Sequence, residues 1–189
     1  MNPKHITLKS VITTVVVITL FACEGNIKNV KKLNLKDDAP VAIGKEINLK
    51  YTDSGLLTAN LITPTLLDFS NFEFPYREFP DGIILYFYQG SKTTTIKADY
   101  AIQYQNTNLV DLRKNVSVIT ADSLVLNATQ LYWDQKNQWV FTDLPYTITF
   151  SDGSYNDGIG FDSSEDFTTF ISKKNQGVQF IDKKELNEQ

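Results

Sequence analysis

Two kinds of side chain in this sequence could do chemistry: one cysteine, Cys23, and a scatter of carboxylates. Cys23 is the only thiol, and it follows the parts of a secretory leader. Lys4, His5 and Lys9 make a basic start, Val11 to Phe21 is a run of apolar residues and threonines, and Leu20-Phe21-Ala22-Cys23 precedes the polar Glu24-Gly25-Asn26. Eleven helical residues rise about 17 Å against roughly 30 Å of hydrocarbon, so the run is too short to span a bilayer. The Leu-x-Ala-Cys ending resembles a bacterial lipobox, in which the cysteine is diacylated, the leader is cut before it, and the new amino terminus is acylated in turn. Phe21 is bulkier than the usual residue at its place. The alternative is an ordinary leader cut beside a lone buried thiol.

The carboxylates read differently. His5 is the only histidine and leaves with the leader, so neither a Ser–His or Cys–His nucleophile nor the usual zinc sets can be built. Asp134, Asp143, Asp162, Glu165 and Asp166 remain as acid–base candidates for a carboxylate-pair glycosidase. Asp134 in Trp-Asp-Gln-Lys-Asn and Asp143 in Thr-Asp-Leu-Pro instead favour turns, where aspartate hydrogen-bonds its own backbone. The stretch Asp152-Gly153-Ser154-Tyr155-Asn156-Asp157-Gly158 lacks the alternating oxygens and closing glutamate of a calcium loop, and reads as a hairpin loop. No metal site and no cofactor are expected.

The elements that must position these residues are strands. Twelve Phe, nine Tyr and two Trp, with many Thr, Ile and Val, favour pleated surfaces, and no long window keeps a 3.6 period. The aromatics could mark a sugar-stacking surface, but without disulfides most are needed for the core. Residues 1–22 read as the leader, 23–40 as the lipidated start and a polar, flexible tether, 41–182 as one all-β domain, and 183–189 as a polar tail. Losing Lys4 and Lys9 makes the formal charge of −4 two units more negative. An acidic chain without basic clusters argues against nucleic acid as a partner.

Strands are expected at Asn48 to Gly55, Leu56 to Ile62, Ile83 to Tyr88, Thr93 to Ala101, Leu109 to Leu112, Val116 to Thr120, Leu124 to Ala128, Leu131 to Trp133, Trp139 to Thr142 and Tyr146 to Phe150. Gly158 to Asp162, Phe167 to Ser172 and Gly177 to Ile181 follow. Pro64 should end the second of these, and Thr65 to Pro80 reads as a loop packed by its own aromatics. Arg113-Lys114-Asn115 reads as a turn. Small residues recur at Ala59, Ala98, Ala128 and Gly160, at intervals of roughly 30–40 residues, as in a fold that repeats one strand unit. Apolar residues recur at period two: Ile83, Leu85 and Phe87; Ile96 and Ala98; Val116 and Val118; Leu124 and Leu126; Tyr146, Ile148 and Phe150. They would fill a compact barrel or line an open groove suited to acyl chains. Periodicity does not separate the two.

A series of stretches carries a resemblance. In order they are Tyr51-Thr52-Asp53-Ser54-Gly55, Pro75-Tyr76-Arg77-Glu78-Phe79-Pro80-Asp81-Gly82-Ile83, Lys97-Ala98-Asp99-Tyr100-Ala101-Ile102, Asn115-Val116, Gln130-Leu131-Tyr132-Trp133-Asp134-Gln135 and Gly158-Ile159-Gly160-Phe161. Over about residues 43–181 the chain resembles the LptC family, the periplasmic component of the lipopolysaccharide-export ABC transporter, in its Bacteroidetes form. The resemblance implies a twisted antiparallel β-jellyroll, or open β-sandwich, whose apolar interior binds lipopolysaccharide acyl chains without covalent chemistry. It implies inner-membrane transporter subunits and a periplasmic bridge protein of the same fold as partners, met by strand addition at the jellyroll's ends. The Tyr51 to Ile62 strands would face the transporter, and those from Gly158 to Ile181 the bridge. Better-known members hold the membrane with an uncleaved helix; here Cys23 and its lipid would replace it on the periplasmic side, in the inner membrane by analogy, although sorting by the residue after the cysteine, Glu24, leaves the outer membrane open. The reading that competes is a lipid-anchored envelope protein that assembles through its sheet edges and binds no lipid.

Overall fold

The computed structural model describes residues 39–180; Cys23, the leader, most of the tether and the polar tail lie outside the described residues. Eleven strands form one antiparallel sheet: β1 (Ala42–Asp53), β2 (Leu56–Phe69), β3 (Tyr76–Phe79), β4 (Ile83–Gln89), β5 (Lys92–Ala98), β6 (Tyr100–Tyr104), β7 (Leu109–Ile119), β8 (Val125–Asp134), β9 (Trp139–Thr149), β10 (Tyr155–Ser164) and β11 (Phe170–Val178). The expected all-β jellyroll or open sandwich is what forms.

The sheet makes two layers because its long strands serve two sets of neighbours. β2 pairs with β4 through Ala59–Ile62 and with β3 through Leu67–Phe69. β7 pairs with β5 through Ser117–Ile119 and with β6 through Leu109–Arg113. One layer therefore holds β4 and β5 between half of β2 and half of β7, and the other holds β3 and β6 between the remaining halves. The bends between them are bulges. In β7 the register slips between Arg113 and Val116, where Lys114 and Asn115 have φ of 63° and 47°. The slip in β8–β9 falls between Ala128 and Tyr132, and the slip in β9–β10 between Ile159 and Phe161, around Gly160 at φ 83°. A bulge adds a residue to one strand and turns it, which is how a strand leaves one layer for the other.

These bends correct several expectations. Leu109–Leu112 and Val116–Thr120 are one strand, and Arg113-Lys114-Asn115 is a bulge within it rather than a turn. The pairs of short strands expected on either side of Thr129 and of Asp143 likewise fuse into β8 and β9. The strand expected at Thr93 to Ala101 breaks at Asp99, whose N–H donates to the Lys114 carbonyl (3.0 Å) and whose carboxylate accepts from Asn115 (2.5 Å). Those two bonds staple the corner. Pro64 does not end its strand: β2 runs on to Phe69, and β3 follows within the expected loop. Pro64 stands opposite Glu46, which is left-handed at φ 50°, and the register skips the two of them, so no ladder bond is asked of the missing N–H. All four recurring small residues sit beside breaks of this kind: Ala59 at the β1 slip, Ala98 at the β5–β6 break, Ala128 and Gly160 at the bulges.

Turns at one margin are tied to one another. Gln105 N–H donates to the Pro75 carbonyl (3.0 Å), Gln135 to Asn108 (3.1 Å) and Glu165 to Gln138 (2.9 Å). β1 and β11 are the sheet's two edges.

Candidate functional site

A row of cross-strand partners runs along one layer: Leu61, Leu85, Ile96, Val118, Leu126 and Ile148, from β2 to β9. All point between the layers, because side chains on one strand alternate faces and cross-strand partners share one. At the β2 end this row borders empty space. A cavity of about 390 Å³ lies between the layers there, within the usual range for small-molecule sites. Ala59 and Leu61 of β2, Ile83, Leu85 and Phe87 of β4 and Ile96 of β5 form one wall. Phe79 of β3, Gln103 of β6, Val110 and Leu112 of β7 and Trp133 of β8 form the other, with Tyr51 and Gln135 at the margin.

The free margins of the two layers meet at Phe87 and Trp133, whose rings stand edge to face with centroids 5.0 Å apart. Trp133 Nε1 donates to Glu165 Oε2 (2.9 Å), which fixes the indole. Gln103 Nε2 donates to Gln135 Oε1 (3.3 Å), so two amides supply the polar part of an otherwise apolar lining. Among the described residues, Tyr51 is the only ionisable side chain in that lining. The site can hold an apolar chain and offer an amide or two to a polar end. It has no acid–base pair.

Of the residues expected to line a groove, the cavity unites Ile83, Leu85, Phe87 and Ile96. Val116, Val118, Leu124, Leu126, Tyr146 and Ile148 are buried in the core without reaching it. Phe150 is half-buried and borders a second cleft at the far end, with Phe170, Asp152 and Asn156. Tyr51, Ala59, Leu61 and Gln135 were not expected in the lining, nor were Phe79, Gln103, Val110, Leu112 and Trp133. The last five belong to the second layer, and only the fold-over of β7 and β8 brings them opposite the first.

Glu165 holds the Trp133 indole at the cavity wall, and the other candidate carboxylates are occupied away from it. Asp134 caps its turn, accepting from Lys136 N–H (3.1 Å), Asn137 N–H (3.0 Å) and Asn137 Nδ2 (2.7 Å). Those bonds, led by Asn137's backbone, hold its carboxyl below the usual range. Asp166 accepts from Ser164 and Thr168, which lower it likewise. Asp152 takes the Ser154 N–H and hydroxyl, both at 2.8 Å, as a hairpin-loop aspartate. Asp143 and Asp162 share Lys173, at 3.2 and 3.1 Å. Among the described residues no three His, Cys, Asp or Glu side chains stand together as a metal site.

One buried charge was not anticipated. Asp111, 1% exposed, lies on the outer face of β7 beneath Arg113, whose Nε donates at 2.8 Å, and Gln130, whose Nε2 donates at 2.7 Å. Arg113 and Gln130 are cross-strand partners, and Asp111 is two residues along from Arg113 on the same face. Next to them Tyr100 donates to Glu78 (2.7 Å), and burial together with that bond raises its phenol well above the ordinary tyrosine range. The cluster joins β3, β6, β7 and β8 behind the cavity wall.

A protein-family model for lipopolysaccharide assembly, described as LptC-related, matches residues 11–168, which take in β1 to β10 and every cavity residue. No curated protein matches the chain.

Proposed function

The chain belongs to the LptC family of lipopolysaccharide-assembly proteins, and from that premise we propose that its β-domain carries lipopolysaccharide acyl chains between its layers. It takes them from the inner-membrane ABC transporter and passes them to a periplasmic bridge protein of the same fold. Cys23, lipidated, holds it to the membrane on the periplasmic side. The observation that supports this reading is the cavity, apolar on both walls, partly open, and flanked at its margin by one pair of aromatic rings. Burying a methylene contributes about 0.8 kcal/mol, so ten of them contribute about 8 kcal/mol before ordering costs. Such a chain moves on only if the next lining offers the same contacts, which is why the partner must share the interior.

The row that starts in the cavity continues to Val118, Leu126 and Ile148, and an acyl chain travelling along the layers would follow it. The two edges, β1 and β11, carry unpaired backbone groups suited to strand addition, the transporter meeting β1 and the bridge β11. Those same edges support the second reading, an anchored assembly protein that binds no lipid.

A photo-crosslinking residue placed at Phe87, Val118 or Ile148 in living cells separates the two. Lipopolysaccharide adducts are expected at Phe87 first, since it stands at the cavity margin. No adduct at any of the three would sink the lipid-carrier reading and leave the assembly reading. Depletion should then stall lipopolysaccharide at the inner membrane only if the carrier reading holds.

A further inference from the structure

The β2–β3 turn is an aromatic wedge at the place where the chain enters the domain. Phe69 stacks on Tyr76 with centroids 4.6 Å apart, and Phe72 meets both edge-on at 5.5 and 5.8 Å. Backbone bonds from Phe72 N–H to Phe69 (3.2 Å) and from Gln105 N–H to Pro75 (3.0 Å) pin the turn at both sides. Phe74 rests against Tyr104 at 5.7 Å and is still 50% exposed. The entering strand lies at the same end of β2: Val41 N–H donates to the Asp68 carbonyl (2.8 Å), and Ala42 pairs with Asp68. Val41 and Ile43, the latter 62% exposed, add two more uncovered apolar side chains there.

We propose that this wedge, with Phe74 at its crest and Val41 and Ile43 beside it, inserts into the interfacial layer of the lipid bilayer that holds the anchor. The inference rests on the reading of Cys23 as the anchor. The occupant follows from where the chain goes. Seventeen residues separate Cys23 from Val41, so the link can reach no farther than about 65 Å whatever its conformation. An anchor on so short a leash presents the entry end of β2 to the bilayer at an effective concentration on the order of millimolar, so a weak wedge suffices. Exposed Phe and aliphatic side chains bury into the head-group/acyl boundary, and a pinned turn loses little entropy on doing so. The turn itself offers no free cation: Glu73 is acidic and Arg77 is paired with Asp68 at 3.3 Å. Lys28, Lys31, Lys32 and Lys36 lie on the leash instead, so burial of the rings at the turn is insensitive to salt, unlike a polybasic contact.

The test uses the full, acylated chain in phosphatidylethanolamine–phosphatidylglycerol vesicles. With the only native thiol carrying lipid, Phe74→Cys or Ala121→Cys accepts one spin label; Ala121 is an exposed residue of the β7–β8 turn, at the opposite end of β7 from the tied turns. Thermal melting of both labelled proteins checks that they fold as the parent does. The expected result is flotation of both, with the label at 74 about threefold or more less accessible to an aqueous nickel relaxant than the label at 121, in low and high salt alike. Flotation with equal accessibility at the two sites overturns the wedge and leaves the anchor standing. Failure of the chain to float overturns both. A label at 74 that stays water-exposed in vesicles and becomes immobile only when transporter subunits are added assigns the turn to a protein partner, and the wedge is wrong.

Discussion

The two ends of the folded sheet treat one row of side chains in opposite ways. Where β2, β4 and β5 carry it, Leu61, Leu85 and Ile96 border a cavity; where β7, β8 and β9 carry it, Val118, Leu126 and Ile148 are sealed. Leu85 keeps 8% of its surface and Leu126 none. The backbone is alike at both ends, and the filling differs. At the far end Tyr146, Phe161, Phe167 and Phe170 occupy the space between the layers, with Phe161 centroids 5.2, 6.3 and 6.1 Å from the other three. At the near end the only interlayer ring pair among the described residues is Phe87 with Trp133, placed at the margin. A period of two thus determines which residues face inward, and the bulk of the opposite layer determines whether that interior is hollow.

Truncations should break this contrast most strongly. Phe161→Ala removes a fully buried ring from the filled end and should cost about 3–5 kcal/mol, because lost transfer energy and a new cavity add together. Leu126→Ala should fall in the same range for the same reason. Leu85→Ala adds to space that already exists, so its cost should stay near the transfer contribution alone, about 2 kcal/mol. Urea melts of the three proteins give the comparison directly. Equal losses at Leu85 and Leu126 would mean that the cavity is not open space in solution.

Glycines at the two ends sharpen it at a smaller scale. Gly82 and Gly160 have nearly the same left-handed φ, 84° and 83°. A Cβ on Gly82 would lie 2.5 Å from the Ala98 carbonyl oxygen, at the stapled corner beside Asp99. On Gly160 it would lie 2.8 Å from Lys173 Cδ and 3.3 Å from Lys173 Cβ, so one side chain rather than backbone must shift. Both substitutions carry the left-handed penalty of about 1–2 kcal/mol. Gly82→Ala should exceed it, since backbone must move, and should also alter lipid crosslinking at Phe87. Gly160→Ala should show that penalty and a loosening of Lys173 from Asp143 and Asp162, and leave crosslinking unchanged.

How much of this is legible in the sequence follows from particular residues. Alternation in Ile83-Ile84-Leu85-Tyr86-Phe87-Tyr88 reveals a strand with two usable faces, and enough such strands define an all-β fold. The bends are misread because a bulge and a turn use the same chemistry: Lys114 and Asn115 adopt the positive φ that an Asn-containing turn would require. Pro64 misleads because the ladder rule assumes a neighbour that wants its N–H, and the register skips that position. Half of the cavity wall is invisible to pattern. Phe79, Val110 and Trp133 look like any core residue until β7 and β8 fold over. Asp111 hides in an apolar strand for want of any local cue that Arg113 and Gln130 will cover it.

The smallest contrast is in pH. At the near end Asp68 feels burial, which pushes its carboxyl up, but the Ser70 hydroxyl and N–H and the Arg77 guanidinium outweigh it and leave it below the ordinary range. Its folded pKa is thus below its unfolded value of about 3.9, so its contribution is complete above that value and lost as the pH falls through the folded pKa. At the far end Lys173 is held above the ordinary lysine range by its bonds to Asp162 and Asp143. The sign reverses: its contribution is complete below about pH 10.4 and lost as the pH rises through the folded value. Asp68→Asn should destabilise at neutral pH by no more than about 1 kcal/mol, the worth of a partly exposed pair, and merge with the parent in acid. Lys173→Met should differ from the parent by a constant amount between about pH 5 and pH 9, and by less above pH 11. Melting curves across that span decide the matter, and parallel profiles for both variants would show that neither ion pair distinguishes the two ends.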